Sequence, residues 1–255
     1  MAKVLLLNGS PHTKGCTAAA LDEMIKVFEQ DGIETEIIQV GNKPIRGCIA
    51  CGKCESLGHC VFDDLVNETA QKFEAADGLV IGSPVYYGSP NGTVLSFLDR
   101  LYYSTPFSKH MKVGASVVSC RRGGNTASFD VLNKYFTISN MPVASATYWN
   151  MVHGFSAEDV AKDLEGLQTM RNLARTMSFM IKAIADGKEK YGSPEIEQKY
   201  FTSFPDGKKN CITMIIKPYR QDEQQPVRFF AYINLSMNSC ETSDSFCSRF
   251  QISVG

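Results

Sequence analysis

The chain has 255 residues, 44% hydrophobic and 21% charged, which is the makeup of an ordinary globular core in one or two domains. Its formal net charge of -1 offers no basic surface for nucleic acid, and no apolar run reaches bilayer length. Neither nucleic acid nor membrane is therefore expected as a partner.

Lys3–Asn8 is a short continuous apolar run, the pattern of a buried parallel strand, and too short for a signal-peptide core. Thr17–Gln30 follows, with Leu21, Met24, Ile25 and Phe28 at helical spacing and Gly32 as its stop. Glu34–Val40 alternates as a strand. Three cysteines at two-residue gaps come next, Cys48-Ile-Ala-Cys51-Gly-Lys-Cys54, with Cys60 close behind. Four soft thiolates on one glycine-containing loop have the spacing that wraps a cubane 4Fe–4S cluster. Redox-active thiols are a second reading of the same residues, and zinc a third, although zinc sites usually split their cysteines into distant pairs. Nine cysteines, an odd number in a chain too long to need disulfide staples, fit a reducing, cytoplasmic setting.

Asp63 is expected to cap a helix running to about Ala75, and Gly78–Gly82 reads as a second buried strand. A helix over Gly92–Tyr103, a strand over Val113–Ser119, a helix over roughly Ser128–Thr137 and a fifth strand over Pro142–Tyr148 complete the alternation. One long helix from Ser156 to about Asp186 opens on the capping-box pattern Ser156-Ala-Glu-Asp159. From about Pro205 the alternation stops, and 205–255 reads as a C-terminal extension of unknown role.

Apolar strands separated by helices predict an α/β protein with a doubly wound, five-stranded parallel sheet. Ligands on such sheets bind beyond the carboxyl ends of the strands. The loops Gly9–Thr17, Ser83–Gly92, Ser119–Thr126 and Tyr148–Gly154 fall on that one edge. In the first loop, Ser10, Thr17 and the amides from His12 to Ala18 sit at the positive end of a helix, an arrangement for phosphate; a plain capped turn is the alternative. It is neither a Walker loop nor a G-x-G-x-x-G loop, since Lys14 precedes Gly15. In the second, Pro84-Val85-Tyr86-Tyr87-Gly88 combines a stiff, approachable backbone with aromatic faces, which suits a flat ring. Adjacent residues point apart, so one tyrosine is expected in the core and the other toward the site. In the third, Gly123 and Gly124 free the backbone, and Arg121 or Arg122 either stabilises negative charge or belongs to a solvated turn. Trp149 is a core residue or a site wall, His153 is expected to be structural, and Asp99-Arg100 reads as a local pair at a helix end.

Together these loops resemble the NADPH-dependent FMN reductase group of flavodoxin-like proteins, and its iron–sulfur flavoprotein branch in particular. The resemblance rests on Leu7-Asn-Gly-Ser-Pro with Gly15 and Thr17, on Cys48, Cys51, Cys54 and Cys60, on Ala76–Gly88 continuing to Phe97-Leu-Asp-Arg100, and on Arg121–Asn125. It covers roughly residues 1–204, with the Cys-rich loop 46–61 as an insertion, and Tyr200–Phe204 looks like the usual end of relatives.

It implies a three-layer α/β/α flavodoxin-like fold, FMN, NAD(P)H as electron donor and a homodimer or homotetramer. It further implies that Ser10, His12, Cys16, Thr17 and Ala18 hold the FMN phosphate, although many relatives carry a basic residue and an Asn in place of His12 and Cys16. Pro84, Val85, Tyr86, Tyr87 and Gly88 would line the isoalloxazine, with Ser119, Gly123, Gly124 and Asn125 on its far edge. The flavin would carry the chemistry with no catalytic side chain required, and the backbone donors of Gly123–Asn125, with Arg122 as a candidate beside them, could stabilise negative charge on it.

The expected activity is an FMN-dependent NAD(P)H oxidoreductase acting on a quinone, free flavin or a nitro- or azo-aromatic. The alternative is an electron carrier that takes electrons from a ferredoxin-like partner through a 4Fe–4S cluster. A thiol-based redox sensor ranks last because it leaves the flavin-type loops unexplained.

Overall fold

The computed structural model describes residues 1–197. The boundary expected at 204/205, the extension 205–255 and Tyr200–Phe204 lie outside the described residues. Within the unit Met1–Ser193, β1 (Lys3–Asn8) is an interior strand of the sheet. Its alternate residues face opposite ways, and both faces are covered. Val4 and Leu6 join one apolar cluster with α1 (Cys16–Gln30) and α7 (Leu164–Tyr191). Leu5 and Leu7 join another with α3 (Leu65–Ala75), α4 (Gly92–Ser104) and α5 (Asn125–Ile138). Burial on both faces is why the run reads as continuously apolar.

Five strands run parallel in the order β2-β1-β3-β5-β6, where β2 is Glu34–Gln39, β3 Gly78–Tyr86, β5 Val113–Cys120 and β6 Met151–His153. This is the doubly wound parallel sheet expected from the alternation, in the flavodoxin-like form that the resemblance implies. The chain leaves β1 in one direction to β2 and returns on its other side as β3, which opens a crevice at the carboxyl ends of β1 and β3. Short helices α2 (Cys54–Leu57) and α6 (Ala157–Val160) complete the set. Among the described residues, no helix is long and apolar enough to cross a membrane.

Several elements differ from their sequence reading. Strand β3 continues past Gly82 to Tyr86 because β4 (Ser89–Pro90) folds back on it as an antiparallel hairpin. The fifth strand is Met151–His153, not Pro142–Tyr148. The earlier segment makes only an isolated bridge, Val143 to Gly114, before leaving the sheet edge. The expected helix from Ser156 is two helices. The capping box at Ser156 and Asp159 forms, but α6 ends within a turn and Asp163 starts α7 by accepting from the Gly166 N–H at 2.9 Å. Asp64, not Asp63, caps α3, accepting from the Val66 N–H at 3.0 Å.

Just after α4, Lys109 is 9% exposed, donates to the Thr105 carbonyl at 3.2 Å and lies 4.6 Å from the Phe107 ring centroid. Burial, and then the neighbouring Lys112, pull its pKa from 10.5 down to about 8. The unfolded chain thus retains a proton that the folded chain releases between about pH 8 and pH 10.5. The penalty is fully present below that window and relieved as pH rises through it. The denaturation midpoint of the wild type relative to Lys109→Met is expected to climb across this range. A flat difference would mean that Lys109 is solvated as in the unfolded chain.

Candidate functional site

The first loop is held from below. The Gly9 N–H donates to the Gly82 carbonyl at 2.7 Å, and Asn91 Nδ2 donates to the Gly9 carbonyl at 2.8 Å. Ser10 N–H donates to Asn8 Oδ1 at 3.0 Å, and His12 N–H to Ser10 Oγ at 3.1 Å, leaving the Ser10 hydroxyl proton to donate. Helix α1 begins after Gly15 with no side-chain cap and no acidic residue in its first turn. The amides of Cys16, Thr17 and Ala18 therefore keep both their donors and the positive end of a 15-residue helix.

Two of the expected side-chain contacts turn elsewhere. Thr17 and Ser119 are buried and share a hydrogen bond of 2.8 Å between Oγ1 and Oγ. Cys16 Sγ donates to the Gly154 carbonyl at 3.5 Å, and burial pushes its pKa up, so it is a neutral thiol facing away from the loop. What Cys16 and Thr17 leave open toward the loop is their backbone N–H groups.

The second and third loops meet. A Cβ on Gly124 would lie 2.8 Å from Val85 Cγ1 and 3.0 Å from the Gly88 Cα, and its φ of +84° is one that glycine adopts without strain. Neither tyrosine is in the core: Tyr86 is 45% exposed and Tyr87 fully so. Gly88 N–H donates to the Tyr86 carbonyl at 2.9 Å around Tyr87 at φ +59°, a strained γ-turn that lifts both rings out of the fold. Arg122 and Gly123 are exposed beside them. Trp149 stands half-exposed with its ring 5.2 Å from that of Tyr148, so it is not a core residue.

Some links on this edge were not read from the sequence. Asn91 links the first and second loops, donating from Nδ2 to Gly9 and from its N–H to Ser83 Oγ at 3.0 Å. His153 joins Asn125 and Asp163: its Nε2 lies 3.3 Å from Asn125 Nδ2, and its N–H donates to Asp163 Oδ2 at 2.7 Å. Asn91 carried the signal of an N-cap before Gly92; the link through His153 is tertiary and left no local signal.

The cysteines line a second site. Cys48, Cys51, Cys54 and Cys60 all border one cavity of about 410 Å³, with Phe62, Arg100 and Tyr103 on its wall. Positive φ angles at Ala50, Gly52 and Gly58 curl the loop around it. Asn67 clamps the last thiol, accepting from the Cys60 N–H and donating to the Cys60 and Phe62 carbonyls at 3.0–3.1 Å. Asp99 and Arg100 do not pair: Asp99 accepts from the Tyr135 hydroxyl, while Arg100 turns inward to Asp64 and Cys60. Among the described residues, no three His, Cys, Asp or Glu side chains converge on a point that a single metal ion could fill. The four thiols border a volume rather than a point.

Residues 2–156 match the family described as NADPH-dependent FMN reductase. An iron–sulfur flavoprotein of Methanocaldococcus jannaschii is 33% identical over 193 residues, covering 71% of this chain and 98% of its own. An iron–sulfur flavoprotein of Methanosarcina thermophila is 27% identical over 192 residues, covering 74% and 100%. Among solved structures, RosB with a bound intermediate superposes with a TM-score of 0.57 at 14% identity, covering 89% of this chain and all of that one, a likeness of fold.

Proposed function

Since the chain belongs to the NADPH-dependent FMN reductase family, we propose that it is an FMN-dependent NAD(P)H oxidoreductase whose cysteine loop holds a 4Fe–4S cluster. The observation that carries this reading is the convergence of three β–α loops at the β1/β3 crevice, with uncapped α1 amides at one end and the Gly124–Val85 contact at the other. When bound, FMN supplies hydride uptake from NAD(P)H and delivery to an acceptor such as a quinone, a free flavin or a nitro- or azo-aromatic. The Ser10 hydroxyl, His12 and the N–H groups of Cys16, Thr17 and Ala18 would hold its phosphate. Pro84–Gly88 would back the ring and exclude water from one face. The N–H groups of Gly123, Gly124 and Asn125 would meet its polar edge, with Arg122 adding positive charge. The exposed rings of Tyr86, Tyr87 and Trp149 are the surface that a second subunit of a homodimer or homotetramer would cover.

A second reading is favoured by the four-thiol cavity: an electron carrier fed by a ferredoxin-like partner. When bound, the cluster supplies one-electron transfer. Cys48, Cys51, Cys54 and Cys60 would be its ligands.

Anaerobic purification followed by an absorbance spectrum, iron and sulfide assays and reduction trials separates these readings. FMN that is reduced by NADPH or NADH and reoxidised by a quinone supports the oxidoreductase. FMN that stays oxidised under both nucleotides, yet is reduced by ferredoxin, replaces it with the carrier. A colourless protein that takes up no FMN overturns both.

A further inference from the structure

Arg100 is charged yet only 1% exposed, and all five of its N–H groups face acceptors. Nη1 and Nη2 grip the Asp64 carboxylate at 2.7 and 2.9 Å. Nη1 also reaches the Arg46 carbonyl at 3.3 Å, and Nη2 the Phe62 carbonyl at 3.2 Å. The guanidinium carbon stacks 5.0 Å from the Phe62 ring centroid. The remaining donor, Nε–H, points at Cys60 Sγ, 3.2 Å away. A purely structural Arg–Asp pair has no need of a sulfur acceptor at the wall of a thiol-lined cavity.

We propose that Arg100 is a positioning residue for the inorganic core held by Cys48, Cys51, Cys54 and Cys60, presenting Cys60 to it and, with Asp64, setting its reduction potential. The inference rests on the cluster part of the proposed function. A hydrogen bond and a fixed positive charge at a ligating sulfur stabilise the more negative of two charge states, so Arg100 raises the potential. Asp64 stands on the far side of the guanidinium and offsets part of that charge, so it lowers the potential. Burial of Arg100 keeps water from screening its charge, while Asp64, 30% exposed, is partly screened and has the smaller effect. The two side chains thus act on the same sulfur with opposite sign, which simple loosening of the loop would not do.

The test uses the full chain, purified anaerobically, as wild type, Arg100→Gln and Asp64→Asn. Asn still accepts from the Val66 N–H and keeps the α3 cap. Iron and sulfide are counted first, and the potential is then titrated with dithionite and mediators, followed by electron paramagnetic resonance. One electron passes from dithionite per cluster, with no bond made or broken. Arg100→Gln is expected to shift the oxidised-to-reduced equilibrium at least tenfold toward the oxidised form, about 59 mV for one electron. Asp64→Asn is expected to shift it toward the reduced form, with FMN content unchanged in both. Shifts of the same sign, or none, in proteins that retain their iron overturn the inference. If Arg100→Gln does not fold, an unmoved potential in iron-replete Asp64→Asn overturns it alone. Wild type without iron or sulfide overturns the cluster reading itself and the inference with it, a result seen before any titration.

Discussion

Valine at position 41 is expected to strip the protein of its proposed FMN. A Cβ on Gly41 would sit 2.2 Å from the Gly9 carbonyl oxygen and 2.3 Å from the Ser10 carbonyl carbon. Those atoms are backbone and cannot swing aside as a side chain does. The loop can give way only by straining its own anchors, since Gly9 is bonded to Gly82 and Asn91, and the Gly41 N–H to the Asn8 carbonyl at 3.1 Å. Relief of the overlap therefore displaces the first loop, and Ser10 and the approach to the α1 amides move with it. Overpacking of this kind typically costs 1–3 kcal/mol, occasionally more. If it falls on binding at about 2.7 kcal/mol, FMN affinity drops roughly a hundredfold. Gly187→Ala, with open space around it in α7, is the matched control and is expected to be neutral or slightly stabilising. Fluorescence titration of FMN reads both. Unchanged affinity in Gly41→Val would show that the loop relaxes freely and that its position does not govern the flavin.

The second large effect is at Asp64. Alanine there leaves the Arg100 guanidinium buried without a counter-charge and removes the acceptor that caps α3. Breaking a buried pair by deleting one partner costs about 3–5 kcal/mol. Asp64 retains 30% side-chain exposure, which lets water partly compensate and places the expected loss near 3 kcal/mol. For a domain of this size that lowers the melting temperature by about 6–12 °C. The double variant Asp64→Ala/Arg100→Met, which removes the stranded charge as well, is expected to recover part of the loss. A double variant no more stable than Asp64→Ala alone would mean that the guanidinium is hydrated when unpaired.

The sheet was legible in the sequence because both of its faces are covered. Lys3–Asn8, Gly78–Gly82 and Val113–Ser119 are central strands whose apolar runs have no other explanation. Met151–His153 escaped because three residues on the sheet edge show no period, while Pro142–Tyr148 offered a longer apolar stretch that makes a single bridge. That the first three loops share one sheet edge was readable from their places after strands; that the second and third meet at Gly124 and Val85 was not. Nor was the orientation of individual side chains. Thr17 and Ser119 satisfy one another, a pairing across 102 residues of sequence. Tyr86 and Tyr87 looked like an inward–outward pair, but a γ-turn breaks the alternation on which that reading depends. Asp63 and Asp64 are indistinguishable as caps in sequence. What selects Asp64 is Arg100, 36 residues on, whose apparent partner was the adjacent Asp99.

Helix α4 ties these observations together mechanically. At its head, Asn91 is fastened to Gly9 and Ser83; nine residues later Arg100 is fastened to Asp64 and Cys60. Nine residues of α-helix measure about 13.5 Å, a length that changes only if helical hydrogen bonds break. The flavin-side loops and the thiol pocket are therefore mounted on opposite ends of one stiff strut. Within a single chain their spacing is a constant of construction, like the gap between two electrodes on a common bar. On the function proposed above, the electrostatics at each end, and not a hinge in between, would tune any electron transfer between them.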